Sequence, residues 1–523
     1  MDYLDEIKKA KEKAKDFKEN LGGDQLIGDT NADDPTLSLV KDKTNRVKEL
    51  LDDVGPGFCL AKWYNVSMHL THGWTHSCYH PEAHKIPLEE LKNNPSALHN
   101  TEYKKKVRAQ MLNGGRPKEC SYCWKVEDAP GNHLSDRPHR SSDVFNYTDF
   151  EKAVSENPLV TNFNPRYVEV NFNHACNLKC SYCSPHLSST WFQEIENKGA
   201  YNMVNGFHND ISWMLEDEKL PLRGTMNNPY LEAFWEWWPE LYKDIKIFRM
   251  TGGEPLIDRN TFKVFDYVIE NPKPNLELAV TTNGVPPDNL WELMVEKVEK
   301  MTKDASLEHF MLFVSLDSVG EKAEYIRNGL DYKKLQDNIE YFFDNVKERH
   351  SLTFINTYNA LSVTSHRDFL QMVLNLREKY SDERQLIWFD IPYMHDPKWQ
   401  SLKNLPSRYD EIMKEDIKFM EEHRETKATR FKGFKDFEVD RLERNLEWGE
   451  VKFDGLELQR QRANFYKFFK QHDERRGTDF LKVFPEYQDF WDLCKKQNED
   501  WEEKRDRSIR LNERRAKRKK RNG

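Results

Sequence analysis

The segment FNHACNLKCSYC, residues 172–183, places Cys176, Cys180 and Cys183 at spacings of four and three. Three thiolates are one short of a closed tetrahedral site. Zinc would take a fourth ligand, with His174 or His186 close by in sequence, or keep an open water position. An iron–sulfur cube holds four irons, so three thiolates leave one iron open to a substrate or cofactor. Reactive redox thiols are the third possibility, and the loop alone leaves all three open. Four more cysteines lie upstream. Cys59 and Cys78 fall in FCLAKWYNVSMHLTHGWTHSCYH, and Cys120 and Cys123 form a CxxC pair in GGRPKECSYCWKVED. CxxC is common in zinc sites, but Cys59 and Cys78 make no second CxxC knuckle. His72, His76, His80 and His84 add ligand candidates and read as surface residues or supports for the ligands. Cys494 stands alone among aromatic residues and reads as a small buried hydrophobe.

These residues need elements to hold them. From about residue 165, β-rich apolar runs alternate with amphipathic helical ones. The predicted strands are RYVEVNF at 167–172 with Arg166 leading in, IKIFRMT at 245–251, LELAVTT at 276–282, HFMLFVSLD at 309–317, LTFINTY at 352–358 and QLIWFDIPY at 385–393. Segments such as NTFKVFDYVIEN and YKKLQDNIEYFFDNV supply the helices between them. Six β-then-α units imply parallel strands with right-handed crossovers. Eight would close a full barrel, so six predict an open partial barrel. The 176–183 loop then follows the first strand, on the C-terminal face that carries function in such barrels.

Composition bounds the rest. The chain has 523 residues, 37% hydrophobic, 32% charged and 12% aromatic, which suits two or three domains and argues against global disorder. No apolar run approaches the length of a membrane span, and the charged N-terminus lacks a signal-peptide apolar region. A cytoplasmic location is expected, where clustered cysteines are metal ligands or redox groups rather than disulfides. Net charge is −9, but the ten Lys/Arg and two Asp/Glu of residues 505–523 give +8, leaving −17 elsewhere. That basic tail reads as solvated and disordered, with weak nucleic-acid contact as the alternative.

The motifs at the strand ends carry a resemblance. The CxxxCxΦC loop has Tyr182 as its aromatic residue. Thr251-Gly252-Gly253-Glu254-Pro255 follows the second strand, and Thr281-Thr282-Asn283-Gly284 the third. Ser315-Leu316-Asp317-Ser318 closes the fourth, and Glu324-Tyr325-Ile326-Arg327-Asn328-Gly329 comes next. In this order the chain resembles the radical S-adenosylmethionine (SAM) superfamily. The resemblance implies that Cys176, Cys180 and Cys183 hold a [4Fe–4S] cluster whose fourth iron is chelated by SAM. It implies reductive cleavage of SAM to methionine and a 5′-deoxyadenosyl radical that takes hydrogen from a substrate. Gly252 and Gly253 would admit the methionine part, Glu254 would orient its ammonium, and Ser315 would meet the ribose or carboxylate. Arg327 would pair with the carboxylate, and Tyr182 would lie near the adenine. Asn283 and Asn356 are weaker strand-end candidates, and Asp317 is either a polar contact or structural. No catalytic acid or base can be named.

The upstream cysteines resemble the C…G…C opening of a SPASM or twitch domain, with Gly73 as its glycine and the CxxC pair completing four ligands. This implies a probable auxiliary [4Fe–4S] cluster, with a structural zinc site as the alternative. The module stands before the barrel, whereas the family usually places it after. The expected fold class is thus α/β, a partial (β/α)6 radical SAM barrel with an N-terminal cysteine-rich twitch-like module and C-terminal helices. Its expected divisions are a helical segment at 1–50, the auxiliary module at 51–145, the barrel at 160–400, helices at 401–504 and the tail at 505–523. The stretch 56–140 is expected to have little apolar core and to be organised by metal. The insertion at 195–243 is expected to lay a helix over the barrel mouth, and the aromatic-rich region after 404 to close the core. The expected substrate is a peptide or protein, with a small or nucleotide-derived molecule as the alternative, and the electron donor a flavodoxin or ferredoxin. A zinc-organised nucleic-acid-binding protein is the competing class.

Overall fold

The structure is a computed structural model that describes residues 35–522 apart from 132, 223–226 and 382. The helical expectation for residues 1–34 lies outside the described residues. The chain forms two compact units. The first comprises residues up to His174, Pro221–Thr281 and Lys297–Met311, and the second Ala175–Leu220, Thr282–Glu296 and Leu312 onward.

In the first unit, strands β1 (Asn65–His69), β2 (Trp74–His76), β3 (His84–Lys85), β4 (Tyr167–Asn171), β5 (Ile247–Thr251) and β6 (Glu277–Thr282) form a run ordered β3-β2-β1-β4-β5-β6. The β1–β4, β4–β5 and β5–β6 pairs are parallel, and β1–β2–β3 are antiparallel. Register aligns Val66, Val168, Phe248 and Leu278 in one row and Met68, Val170, Met250 and Val280 in the next. All eight are buried. Their alternation with Glu169, Arg249 and Thr281 is the period of two that exposed these strands in the sequence. Helix α1 (Pro229–Asp244) is the crossover from β4 to β5. It buries Tyr230, Phe234, Trp237, Trp238 and Leu241, and Trp238 meets Phe248 at 4.9 Å between ring centroids. The helix predicted to lie over a barrel mouth instead covers the sheet, because its apolar residues recur at helical spacing over a broad face.

The N-terminal stretch also departs from expectation. Strand β1 pairs parallel with the first predicted strand, so this region continues the sheet. It has an apolar core of its own: Leu51, Phe58, Trp63, Met111, Phe150 and Phe163 pack with Cys120, Cys123 and Trp124. Its long-range packing has no local periodicity, which is why the sequence reads as core-poor. Between Cys59 and Cys78 the chain forms the β1–β2 hairpin, with Gly73 at φ +73° in its turn. A Cβ there would fall 2.0 Å from the Tyr230 ring, so only glycine fits.

In the second unit, strands β7 (His309–Ser315, entering the unit at Leu312), β8 (His350–Ile355) and β9 (Ile387–Asp390) are ordered β7-β8-β9, with β8–β9 parallel. The six predicted strands are therefore all present. After them come α2 (Arg408–Glu422), α3 (Asp436–Glu450), α4 (Gly455–Arg476) and α5 (Gln488–Asn522). Helix α4 packs its Phe465 against Phe490 of α5 at 5.0 Å, as expected of a core-closing aromatic stretch. Cys494 is fully buried there. Helix α5 continues through residue 522, so the tail expected to be disordered has a helical backbone. No described helix is long and apolar enough to cross a membrane.

Candidate functional site

In the second unit, the three-cysteine loop is a tightly tied turn. Lys179–Cys180 pairs antiparallel with Arg327–Asn328, so Arg327 stands opposite Cys180. The Ser181 N–H donates to Ile326 O at 2.7 Å, and the Cys183 N–H to Cys180 O at 2.9 Å. Helix Ser189–Lys198 closes the turn from one side: Cys176 N donates to Ser189 Oγ at 3.1 Å and Trp191 Nε1 to Cys180 O at 2.8 Å. Asn283 donates to Asn177 Oδ1 at 2.8 Å, and Asn177 donates to Val285 O at 2.8 Å. This sequence candidate therefore holds the loop through another carboxamide.

Sequence reasoning missed the braces from far along the chain. Gln400 and Ser181 exchange hydrogen bonds of 2.8 and 3.0 Å. Arg476, the last residue of α4, donates to Lys179 O at 2.6 Å and pairs with Glu194, which also binds Lys179. These partners lie hundreds of positions apart, and no local pattern marks them.

Burial raises the Cys183 thiol, with Cys180 and Cys176 adding to the rise. Burial raises Cys180 too, opposed by the Arg327 charge. Arg327 is 5% exposed. Its Nη1 lies 3.7 Å from Cys180 Sγ, and its Nη2 meets the Tyr182 hydroxyl at 2.5 Å and Asp317 Oδ1 at 3.1 Å. Its Nε is 2.8 Å from Asp317 Oδ2, a charge contact in which the N–H does not point at the oxygen. The Tyr182 hydroxyl donates to Asp317 Oδ2 at 2.8 Å, and Thr357 N to Oδ1 at 2.9 Å. Asn356 donates to Asp317 O at 3.3 Å. Asp317 is thus the hub of the sequence-predicted residues in this unit. Ser315 ends β7 just before it. His186 Nδ1 is engaged by Ser184 Oγ at 2.8 Å.

In the first unit, Gly252 has φ +128°, and a Cβ there would fall 2.5 Å from Asn171 Oδ1 and 2.9 Å from Asn173 O. Gly253 N donates to Asn173 O at 3.4 Å. Glu254 is 1% exposed and accepts from Leu256 N at 3.0 Å, closing the turn after β5. Next to this turn lies a cavity of about 890 Å³ lined by Asn173, Asn228, Trp235, Asp258, Arg259 and Lys263, among others. It opens past the C-terminal ends of β4 and β5.

Also in the first unit, Cys59, Cys78, Cys120 and Cys123 line a single cavity together with Lys62 and Arg137. Burial pushes the Cys120 and Cys123 thiols up to about 12 and raises Cys78. Lys62, 3% exposed, pairs with Glu119. His80 reaches the same cavity and pairs with Asp136 at 2.7 Å. The other three histidines are engaged elsewhere. His76 Nε2 is 3.1 Å from His69 Nε2, His72 bonds Thr71 at 3.0 Å and His84 bonds Thr101 at 3.0 Å. His72 is buried, not on the surface. Among the described residues, no group of three or more His, Cys, Asp or Glu side chains is set to hold a single metal ion.

Residues 170–373 match the family model described as the Radical SAM superfamily. GTP 3′,8-cyclase of Campylobacter curvus is 28% identical over 161 residues, 31% of this chain and 37% of that protein. GTP 3′,8-cyclase of Syntrophomonas wolfei is 28% identical over 177 residues, 34% of this chain and 42% of that protein. The chain thus spans less than half the length of these relatives. Among solved structures, Streptococcus suis SuiB bound to S-adenosylmethionine aligns with TM-score 0.31 and 13% identity, over 69% of this chain and 70% of that one.

Proposed function

From the radical SAM superfamily domain at residues 170–373, we propose that the chain is an enzyme that cleaves SAM reductively at a [4Fe–4S] cluster held by Cys176, Cys180 and Cys183. The observation that carries this is the tied turn of Cys176, Cys180 and Cys183, in which Arg327 stands opposite Cys180 with Nη1 3.7 Å from its Sγ. Such a donor set suits a cube with one open iron and compensates part of its negative charge. When bound, the cluster and SAM supply one-electron reduction and a carbon radical. The chain's own residues hold and orient. Gly252 keeps the backbone bare where a side chain would collide with Asn171 and Asn173. Glu254, Ser315 and Tyr182 are proposed as contacts to SAM, and Asn283 and Asp317 as supports that fix the loop.

Cys59, Cys78, Cys120 and Cys123 are proposed as the ligands of an auxiliary [4Fe–4S] cluster in a twitch-like module. Four thiols on one cavity wall leave no iron open, which favours electron transfer over substrate binding there. Lys62 and Arg137 line the same cavity, Lys62 paired with Glu119 and Arg137 with Glu127 and Asp52.

For the substrate, the cavity of about 890 Å³ beside the Gly252–Glu254 turn favours a small polar molecule. The names of the curated relatives support the same reading. A peptide or protein substrate is the alternative. A flavodoxin or ferredoxin donor and a cytoplasmic setting complete the proposal. Anaerobic reconstitution with iron and sulfide tests it. Brown protein with inorganic sulfide and SAM-dependent spectral change is expected, and colourless protein that takes up zinc alone would sink it. Incubation with SAM, reductant and separate metabolite and peptide pools, read by mass spectrometry, decides between the substrate classes.

A further inference from the structure

The Arg327 side chain reaches a cysteine sulfur of the loop, Cys180 Sγ, at the distance given above. It is buried, and its guanidinium is aimed by partners on three sides. Asp317 faces Nε and Nη2, the Tyr182 hydroxyl bridges Nη2 to Asp317, and the backbone of the Lys179–Cys180 pairing fixes the chain opposite. Asp317 is in turn pinned by Thr357 N. What remains of the fork, Nη1, points at Cys180 Sγ at 3.7 Å.

We propose that Arg327 is a positioning residue that sets the reduction potential of the cluster at Cys176, Cys180 and Cys183, with Asp317 and Tyr182 as the frame that aims it. The inference rests on that cluster assignment. Reduction adds one electron to the cluster and its thiolates. A guanidinium charge and an N–H donor at a ligand sulfur stabilise the more negative state, so they raise the potential. Asp317 opposes this with a fixed negative charge, and so trims the effect while holding the geometry. The pair therefore predicts shifts of opposite sign, which a purely structural role would not produce. It also gives Arg327 a task that is complete before SAM arrives, in contrast to a pairing with the SAM carboxylate.

The test is an EPR-monitored redox titration of the full chain without SAM. It follows the signal that disappears when Cys176, Cys180 and Cys183 are replaced by Ala. Arg327→Gln should lower the midpoint potential, Arg327→Lys should lower it less, and Asp317→Asn should raise it. Affinity for SAM is measured on the same samples. An unchanged potential in Arg327→Gln, with SAM affinity lost, would overturn the proposal in favour of a carboxylate contact. Shifts of the same sign in Arg327→Gln and Asp317→Asn would overturn it in favour of general disruption. If Arg327→Gln takes up no iron, Arg327→Lys and Asp317→Asn decide by the same signs. Absence of any Cys176-dependent signal in the wild type would instead fault the cluster assignment.

Discussion

A Cβ at position 252 has nowhere to go. The backbone is at φ +128°, and the nearest atoms are a carboxamide oxygen at 2.5 Å and a backbone carbonyl at 2.9 Å. Gly252→Ala should cost about 1–3 kcal/mol of strain. Reduced melting temperature with weaker SAM binding in calorimetry is the expected pair of results; unchanged SAM affinity would remove the turn from the pocket. The Cys120 and Cys123 thiols, held up to about 12 by burial, give a second prediction. They are protonated near neutral pH, and iron binds thiolate, so each ligand must release a proton. Iron uptake by metal-free protein should therefore grow more favourable as pH rises from 6.5 to 8.5, and a flat profile would contradict it. At this scale the need for glycine at 252 was legible, because a glycine at a strand-end turn announces itself by type and position. The Arg327–Asp317–Tyr182 frame was not, since its members come from a loop, a strand end and a two-residue strand that only the fold brings together.

Between elements, two buried carboxylates each meet an arginine. Glu438 of α3 is fully buried against Arg377, on helix His366–Tyr380, which also donates to Gly433 O and Ile387 O. Arg377→Ala leaves that carboxylate unpaired and should cost about 3–5 kcal/mol in urea unfolding; a loss under 1 kcal/mol, at the scale of an exposed pair, would mean the helices are held otherwise. Asp416 of α2 is also buried, and burial raises its carboxyl to about 7 despite the Arg367 pair at 2.9 Å. Because its folded value lies above the ordinary carboxyl value of 3.8, the folded state binds the extra proton between those limits. Its contribution to stability is therefore lost as pH rises from about 4 to about 7. Asp416→Asn should flatten that slope, and an unchanged slope would assign it elsewhere. The six predicted strands were readable at this scale because apolar residues such as Val168, Val170, Phe248 and Met250 alternate with more polar ones. Strand β1 was not, since NVSMH has mixed polarity and its burial comes from neighbours far along the chain. The β4–β5 crossover helix was legible as a helix but not in its placement, which depends on what its aromatic face meets.

At the scale of the whole molecule, three cysteines sit on one turn of the second unit and four line one cavity of the first. If each holds a cube, the wild type should bind about eight irons, and removal of either set should leave about four. The region around the second set has an apolar core of its own, so it should stay folded when those four cysteines are replaced. Limited proteolysis checks that. The central claim is that Cys176, Cys180 and Cys183 support reductive cleavage of SAM. Its most direct test is 5′-deoxyadenosine formed anaerobically from SAM and dithionite, measured by chromatography with mass detection. Wild type and the folded variant lacking Cys59, Cys78, Cys120 and Cys123 should both produce it, and the Cys176→Ala, Cys180→Ala, Cys183→Ala variant should not. Equal product from that triple variant, or none from iron-loaded wild type, would contradict the account.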